Sequence, residues 1–374
     1  MVTSLHLNNF KCFESQSIDF SPLTVLTGLN GMGKSSAMQA LLLIRQSYQQ
    51  GLLEKTGLAL NGDLVRIGTS KDALYETAED DFLGIRIRLE DGSDAGWVFR
   101  YSNPDANVMD LESAEVSPGV LQCSLFNDDF EYLQAERIGP RPTFDTSDFI
   151  VRQHHQLGTR GEFTAFFLSV FGRDNVPNAG LMHPMAASAS LRDQVEAWMG
   201  EISPGTRLHF ESLVGTDLIS LQYSFAADQQ VSNTYRSTNV GFGITYTLPI
   251  LVALLAARSG AFVMIENPEA HLHPKGQVEI GILIARAASS NMQVVVETHS
   301  DHILNGVRIA VRSGIIPPHF VALHFLERQV SKGKMRSMID SPRIDRDGRI
   351  DHWPAGFFDE FDKSLELLLK ARSS

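Results

Sequence analysis

The sequence predicts an α/β fold built on a parallel sheet with helices on both faces, joined by an antiparallel β lobe and an inserted subdomain. Three observations carry that expectation. A glycine-rich turn, Gly28-Leu-Asn-Gly-Met-Gly-Lys-Ser35, lies between a short β-prone run and a long helix-favouring one. The final third alternates helical segments with continuous apolar strands, as expected where a parallel sheet is buried on both faces. Between these regions, residues 82–101 and 119–135 hold β-rich pieces divided by polar turn residues, which read as antiparallel strands.

Taken in order, residues 2–8 alternate weakly and read as a strand, and Leu23–Thr27 is a second strand that ends at Gly28. From Lys34 no Gly or Pro interrupts the chain until Gly51, so a helix follows the turn. Phe82–Leu89 and Trp97–Tyr101 are the clearest strands of the β lobe. Residues 140–235 are mixed, with helical stretches around 161–172 and 190–201 between loops rich in Gly, Pro and Asn, and form the expected insertion. Leu248–Arg258 then reads as a helix, Phe262–Ile265 as a buried strand, roughly 275–289 as a helix and Gln293–Val296 as a strand. The absence of a sustained heptad pattern argues against a long coiled-coil arm.

Composition narrows the function classes. With 374 residues, 43% hydrophobic and 20% charged, the chain is long enough for a sizeable core. No apolar run approaches the roughly 20 residues that span a bilayer, and Met-Val-Thr-Ser-Leu-His does not begin a secretion signal. Two cysteines, Cys12 and Cys123, make no disulfide framework, so a cytoplasmic protein is expected. A net charge of −12 disfavours a surface that grips nucleic acid everywhere. Any such contact would come from a local basic patch, a partner or a second chain.

The turn matches G-x-x-x-x-G-K-[ST] in full. Such a loop converges backbone N–H groups on a phosphate at a helix N-terminus. Its candidate nucleotide contacts are Asn30, Gly31, Met32, Gly33, Lys34, Ser35 and Ser36. Lys34 would reach the β and γ phosphates, and the Ser35 hydroxyl would ligate magnesium. Downstream, Phe262-Val-Met-Ile-Glu-Asn-Pro-Glu269 is an apolar strand ending in an acid, which suits Glu266 to the magnesium side of such a site; the bland alternative is a turn cap. Enzymes of this kind usually place a glutamate at the next position to orient or deprotonate water. Asn267 stands there, and asparagine cannot accept the proton, so either hydrolysis is slow or Glu269 or Glu266 takes that part.

Three further segments complete the set. His271 and His273 in Ala270-His-Leu-His-Pro274 have no cysteine nearby, which favours a structural turn at a dimer contact over a metal site. His299, just past the strand in Val295–Asp301, can donate to a γ-phosphate, or it can be merely structural. Ser237–Gly243 precedes a helix, where free N–H groups offer a second anion-binding surface.

Together these motifs resemble the ATP-binding-cassette ATPases, specifically the soluble branch containing SMC, RecF and the overcoming-lysogenisation-defect (OLD) proteins. An N-terminal Leu-x-Asn-Phe-Lys-x-Phe segment (Leu7 to Phe13), the phosphate loop, the signature, the acidic strand with Pro-Glu-x-His-Leu-His-Pro and the Thr-His-Ser switch stand in the right order. The likeness covers about residues 1–75 and 236–310 well and the middle loosely. Within the branch, the chain looks most like short prokaryotic ATPases with a Trp-Pro-x-Gly-Phe-Phe-Asp tail (Trp353 to Asp359), a group catalogued mainly as a domain of unknown function. Leu133–Arg141 and Gly161-Glu162 share that likeness.

The resemblance implies an ABC-ATPase head over 1–325, with a core of 1–75 and 236–325, a β lobe of about 76–139, an inserted helical subdomain of about 140–235, and a separate tail element over 326–374. It implies ATP and Mg2+ as cofactors, and Glu266, Asn267, Glu269 and His299 as the catalytic set. Asn239, Gly241 and Gly243 would meet the γ-phosphate on a partner's phosphate loop, so two nucleotides would lie at the interface of a homodimer. Lys11 becomes a nucleotide contact by analogy, with a solvated surface charge as the alternative. The glutamine of the usual lining loop has no obvious counterpart.

The implied function is a nucleotide switch that regulates a separate effector, such as a nuclease, in prokaryotic anti-phage defence. Residues 326–374 are too short for the Toprim nuclease that OLD proteins carry. The alternative is a DNA-repair or chromosome-maintenance ATPase of RecF or SMC type, which the acidic balance disfavours. A transporter motor would carry Leu-Ser-Gly-Gly-Gln, which is missing, and a small-molecule kinase would leave the signature and late histidine unexplained.

Overall fold

The computed structural model describes residues 1–227, 230–331, 334–358 and 360–369. Asp359, the last residue of the aromatic tail motif, lies outside them. The first half runs β1 (Val2–Phe10), β2 (Phe13–Asp19), β3 (Leu23–Gly28), α1 (Lys34–Gln49), β4 (Gly57–Ala59), the single turn α2 (Ser70–Ala73), β5 (Phe82–Leu89), β6 (Asp94–Arg100), β7 (Val108–Val116), β8 (Phe130–Leu133) and β9 (Phe144–Asp145). Then come α3 (Thr164–Phe171), α4 (Leu191–Ile202), β10 (Thr206–Ser212), β11 (Leu218–Ala227), β12 (Gln230–Val231), β13 (Tyr235–Arg236) and α5 (Phe242–Ala256). The chain closes with β14 (Phe262–Glu266), α6 (Pro274–Ser289), β15 (Gln293–Glu297), α7 (Asp301–Arg312), β16 (Val321–Ser331), β17 (Lys334–Asp340) and α8 (Glu360–Leu369).

The central sheet has the order β17-β16-β3-β15-β14-β8, parallel throughout except for β17 at its edge. Its strands bury both faces, and successive residues alternate between two cores. Leu23, Val25, Val263, Ile265, Val294 and Val296 pack with α5, α6 and the insertion. Leu26, Phe262, Met264, Val295 and Phe130 pack with α1 and the antiparallel sheet β2-β1-β5-β6-β7-β4. The two sheets are also tied by polar contacts. The Gln293 side chain accepts from the Val2 N–H (2.8 Å) and donates to the Val2 carbonyl (2.6 Å). His324 on β16 is buried between the Asp19 carbonyl (2.6 Å) and the Ser341 hydroxyl (2.8 Å).

Three expectations change here. Residues 130–133 were expected to be antiparallel, but β8 joins the central sheet parallel to β14. Residues 140–235 carry a five-stranded sheet as well as helices, because β11 gathers β9, β10, β12 and β13 around itself. The boundary expected after residue 325 falls inside β16, which pairs in parallel with β3 from Val321↔Leu23 to Leu326↔Gly28. Hydrophobic pattern alone does not say which way a short buried strand runs, and that left β8 and β16 open to misreading.

Candidate nucleotide-binding site

The loop between β3 and α1 depends on backbone that only glycine adopts cheaply. Gly28, Gly31 and Gly33 have φ of 138°, 76° and 110°. A Cβ on Gly28 would overlap the Leu326 carbonyl of β16, and one on Gly33 would sit 2.6 Å from the Cys12 sulfur. No side chain caps the start of α1, so its first N–H groups face the loop's concavity. The Lys34 side chain is buried, and its ammonium donates to the Gly28 and Leu29 carbonyls at 2.9 Å each. Burial lowers its pKa, with Glu297 and then Glu269 opposing that shift. From outside, the Arg328 guanidinium donates to the Gly31 carbonyl at 2.8 Å.

This loop forms one wall of a cleft of about 840 Å³, lined also by Lys11, Gln39, Tyr75, Glu297 and Arg328. The cleft gathers Lys11, Asn30, Gly31, Gly33, Lys34, Ser35 and Ser36 from the expected contacts. Met32 packs instead against the apolar core. The Lys11 ammonium donates to Gln39 Oε1 at 2.8 Å, and burial lowers its pKa. Lys11 is therefore a half-buried residue of the cleft wall.

Two acids end neighbouring strands, in register across the sheet: Glu266 on β14 and Glu297 on β15. Their side chains have different partners. Glu266 accepts from the Tyr132 hydroxyl (2.8 Å) and the Ala135 N–H (3.0 Å). Glu297 is buried, and its Oε1 accepts from the Ser35 hydroxyl at 3.1 Å. Its Oε2 is also buried and has no hydrogen-bond partner. Burial, followed by the nearby Glu266 charge, pushes the Glu297 carboxyl up to about 7. Burial and Glu266 also raise the Tyr132 hydroxyl.

Glu269 accepts from the Thr298 hydroxyl and the His299 N–H, both at 2.8 Å, and so fixes the segment that carries His299. The His299 ring has its pKa lowered by desolvation first and by the Lys34 charge second. Asn267 has φ of 44°, its N–H donates to the Glu297 carbonyl at 2.8 Å, and its Oδ1 is buried without a partner. Arg137 holds this turn in place. Its buried guanidinium donates to the carbonyls of Glu266 and Asn267 at 2.6 Å each, Tyr246 at 3.1 Å and Gln134 at 3.2 Å. Burial pulls Arg137 down to about 10, which leaves it charged at neutral pH.

Asn239, Gly241 and Gly243 lie at the entry to α5, and Asn239 and Gly241 are exposed. They do not line the cleft over the phosphate loop. Behind them, the His271 ring packs on Tyr246 and Phe242, with centroids 4.5 and 5.7 Å away. His273 accepts from the Lys275 N–H to cap α6. Both histidines therefore have structural work, and no cluster of three metal-ligating side chains occurs among the described residues.

Sequence reasoning missed Glu297 and Arg137. Glu297 carried a signal, since β15, like β14, is an apolar strand closed by an acid. Gln134 directly follows β8, at the same edge of the sheet as Glu266. Gln134 does not line the cleft over the phosphate loop, so it supplies no counterpart there to the glutamine of the usual lining loop.

Comparison with known proteins agrees with this architecture. Residues 1–112 match the family model described as an AAA ATPase domain. Residues 124–305 match an AAA domain model linked by its description to the AbiEii toxin of a type IV TA system. Residues 316–368 match a model described as a protein of unknown function, DUF3696. No curated protein sequence matches the chain. Among solved structures, the Smc head bound to the C-winged helix domain of ScpA aligns at 14% identity, covering 91% of this chain and 98% of that one, with a TM-score of 0.53. The Smc head domain with an extended coiled coil, bound to the C-terminal domain of ScpA and derived from Pyrococcus furiosus, aligns at 13% identity over 99% of both chains, with a TM-score of 0.50. The phosphate loop and the two AAA domain models make this chain similar to AAA-type ATPase domains, and its fold is that of an SMC head.

Proposed function

We propose that this chain is a slow ATPase that works as a dimeric nucleotide switch. The observation that carries the reading is the separation, within one chain, of the open phosphate-loop cleft from the exposed signature at α5. A second copy that brings Asn239, Gly241 and Gly243 over the loop would complete the site, and two copies would bury two nucleotides.

Within each site, the open N–H groups of α1 and the Lys34 ammonium would take the phosphates, in exchange for the Gly28 and Leu29 carbonyls that now hold Lys34. Lys11 and Arg328 add positive charge along the same cleft. The oxygen donors of Ser35 and Glu297 suit magnesium, and the partnerless Glu297 Oε2 is the kind of buried acceptor a cation satisfies. When bound, magnesium would neutralise charge on the β and γ phosphates. Asn267 can hold the attacking water without accepting its proton, and Glu269 is engaged with Thr298 and His299. That arrangement supports low turnover. His299, fixed by Glu269, would report on the γ-phosphate.

The regulated partner would be a separate effector, such as a nuclease, in cytoplasmic anti-phage defence. The toxin-linked model over 124–305 supports this reading over DNA repair, as does the acidic net charge of −12. The test is ATP binding and self-association of the purified chain. ATP should bind and drive dimerisation, and Lys34→Ala should abolish both. Unchanged ATP affinity in Lys34→Ala, or an ATP-loaded chain that stays monomeric, would refute the reading.

A further inference from the structure

We propose that Glu297, paired with Ser35, is the carboxylate through which this protein holds its metal, and that Glu266 is a positioning residue behind it. The inference rests on the reading of the cleft as an ATP–magnesium site and names the group that faces the cation there.

Four observations support it. Glu297 is the acid that touches Ser35, at 3.1 Å, and it is the strand-end acid that lines the cleft. Glu266 has both oxygens engaged, by the Tyr132 hydroxyl and the Ala135 N–H, on the β8 side of its strand. Glu269 likewise has both oxygens committed, to Thr298 and His299. Glu297 alone among the three keeps an oxygen with no partner, and that Oε2 is buried. A buried, unpaired carboxylate oxygen is costly to maintain and marks a place where a ligand completes the shell.

The strand order explains how Glu297 reaches this position. β15 lies directly beside β3, while β14 lies one strand further out. The end of β15 is therefore nearer to the loop that follows β3 than the end of β14 is. A carboxylate on the nearer strand reaches Ser35 directly, whereas one on the farther strand meets the turn after β8. Magnesium bound to nucleotide takes only one or two protein groups and keeps several waters, so Ser35 with Glu297 is a sufficient donor set. Glu266 would then act through its neighbours, by fixing Tyr132 and the 134–137 turn.

The experiment titrates Mn2+ into the full chain with a non-hydrolysable ATP analogue and follows the bound ion by electron paramagnetic resonance. Binding of the same analogue in EDTA is measured in parallel. Glu297→Gln should lower Mn2+ affinity by at least about 10-fold, the smaller end of what loss of even an indirect metal contact costs. It should leave nucleotide affinity in EDTA unchanged or tighter, because a negative charge beside the phosphates has gone. Glu297→Asp, which keeps the charge on a shorter arm, should recover part of the Mn2+ affinity. Wild-type Mn2+ affinity in Glu297→Gln would overturn the assignment, as would a Glu297→Asp that binds the analogue in EDTA and holds Mn2+ no better than Glu297→Gln. If the wild-type chain binds no analogue at all, the ATP-site reading itself fails, and that result is distinct from either of the others.

Discussion

Replacing Arg137 with methionine tests whether the acidic turn is held from behind by one buried cation. The guanidinium serves four main-chain carbonyls and is almost fully buried, at 1% exposure. Hydrogen bonds from a charged donor contribute roughly 1.5–3 kcal/mol each. The two 2.6 Å bonds, to Glu266 and Asn267, would thus account for about 3–6 kcal/mol. Against this, methionine no longer needs to desolvate a cation, which returns part of that sum. A net loss of about 3–4 kcal/mol follows, in line with the cost of breaking a buried charged network. Urea unfolding at neutral pH measures it directly. Arg137→Lys should lose nearly as much, since one ammonium carries three donors and cannot span four carbonyls. A loss below about 1 kcal/mol for Arg137→Met would refute this account, because the carbonyls would then have found other partners.

Two further outcomes are expected. Glu266→Gln should lower kcat by about 10–100-fold, the range for residues that orient a metal site, while ATP still binds; parent-rate hydrolysis would remove Glu266 from the site. For pH, burial holds His324 below the ordinary histidine value of about 6.5. The unfolded chain therefore takes up a proton that the folded chain refuses, so stability falls as pH drops below about 6.5. His324→Gln should flatten that slope in acid unfolding curves, and an unchanged slope would exclude His324 as its source.

Much of the phosphate site was legible because it is local. Gly28 to Ser35 is contiguous, and the strand before it and the helix after it can each be read from a few residues. Lys11 was reached from the sequence by family resemblance alone; its physical reason is the β1–β2 turn, which carries it to the cleft beside Gln39. Glu297 was harder still. Its meaning depends on touching Ser35 across 262 positions of sequence, and that contact follows from strand order, which no local pattern encodes. The same limit applies to β8, whose four residues look alike in either direction. His271 and His273 show how a spacing that suggests chemistry can serve packing, one against aromatic rings and the other as a helix cap.

The pairing of β16 with β3 bears on any attempt to shorten this protein. A chain cut after residue 325 would keep the phosphate loop and every motif that follows it up to His299. It would also delete Leu326, whose carbonyl lies against Gly28, and Arg328, which holds Gly31. Residues 321–325 of β16 would still pair with Leu23–Thr27, but Gly28 at the mouth of the loop would lose its partner strand. Such a fragment would look complete by motif and would lack the two contacts that brace the glycine loop from β16.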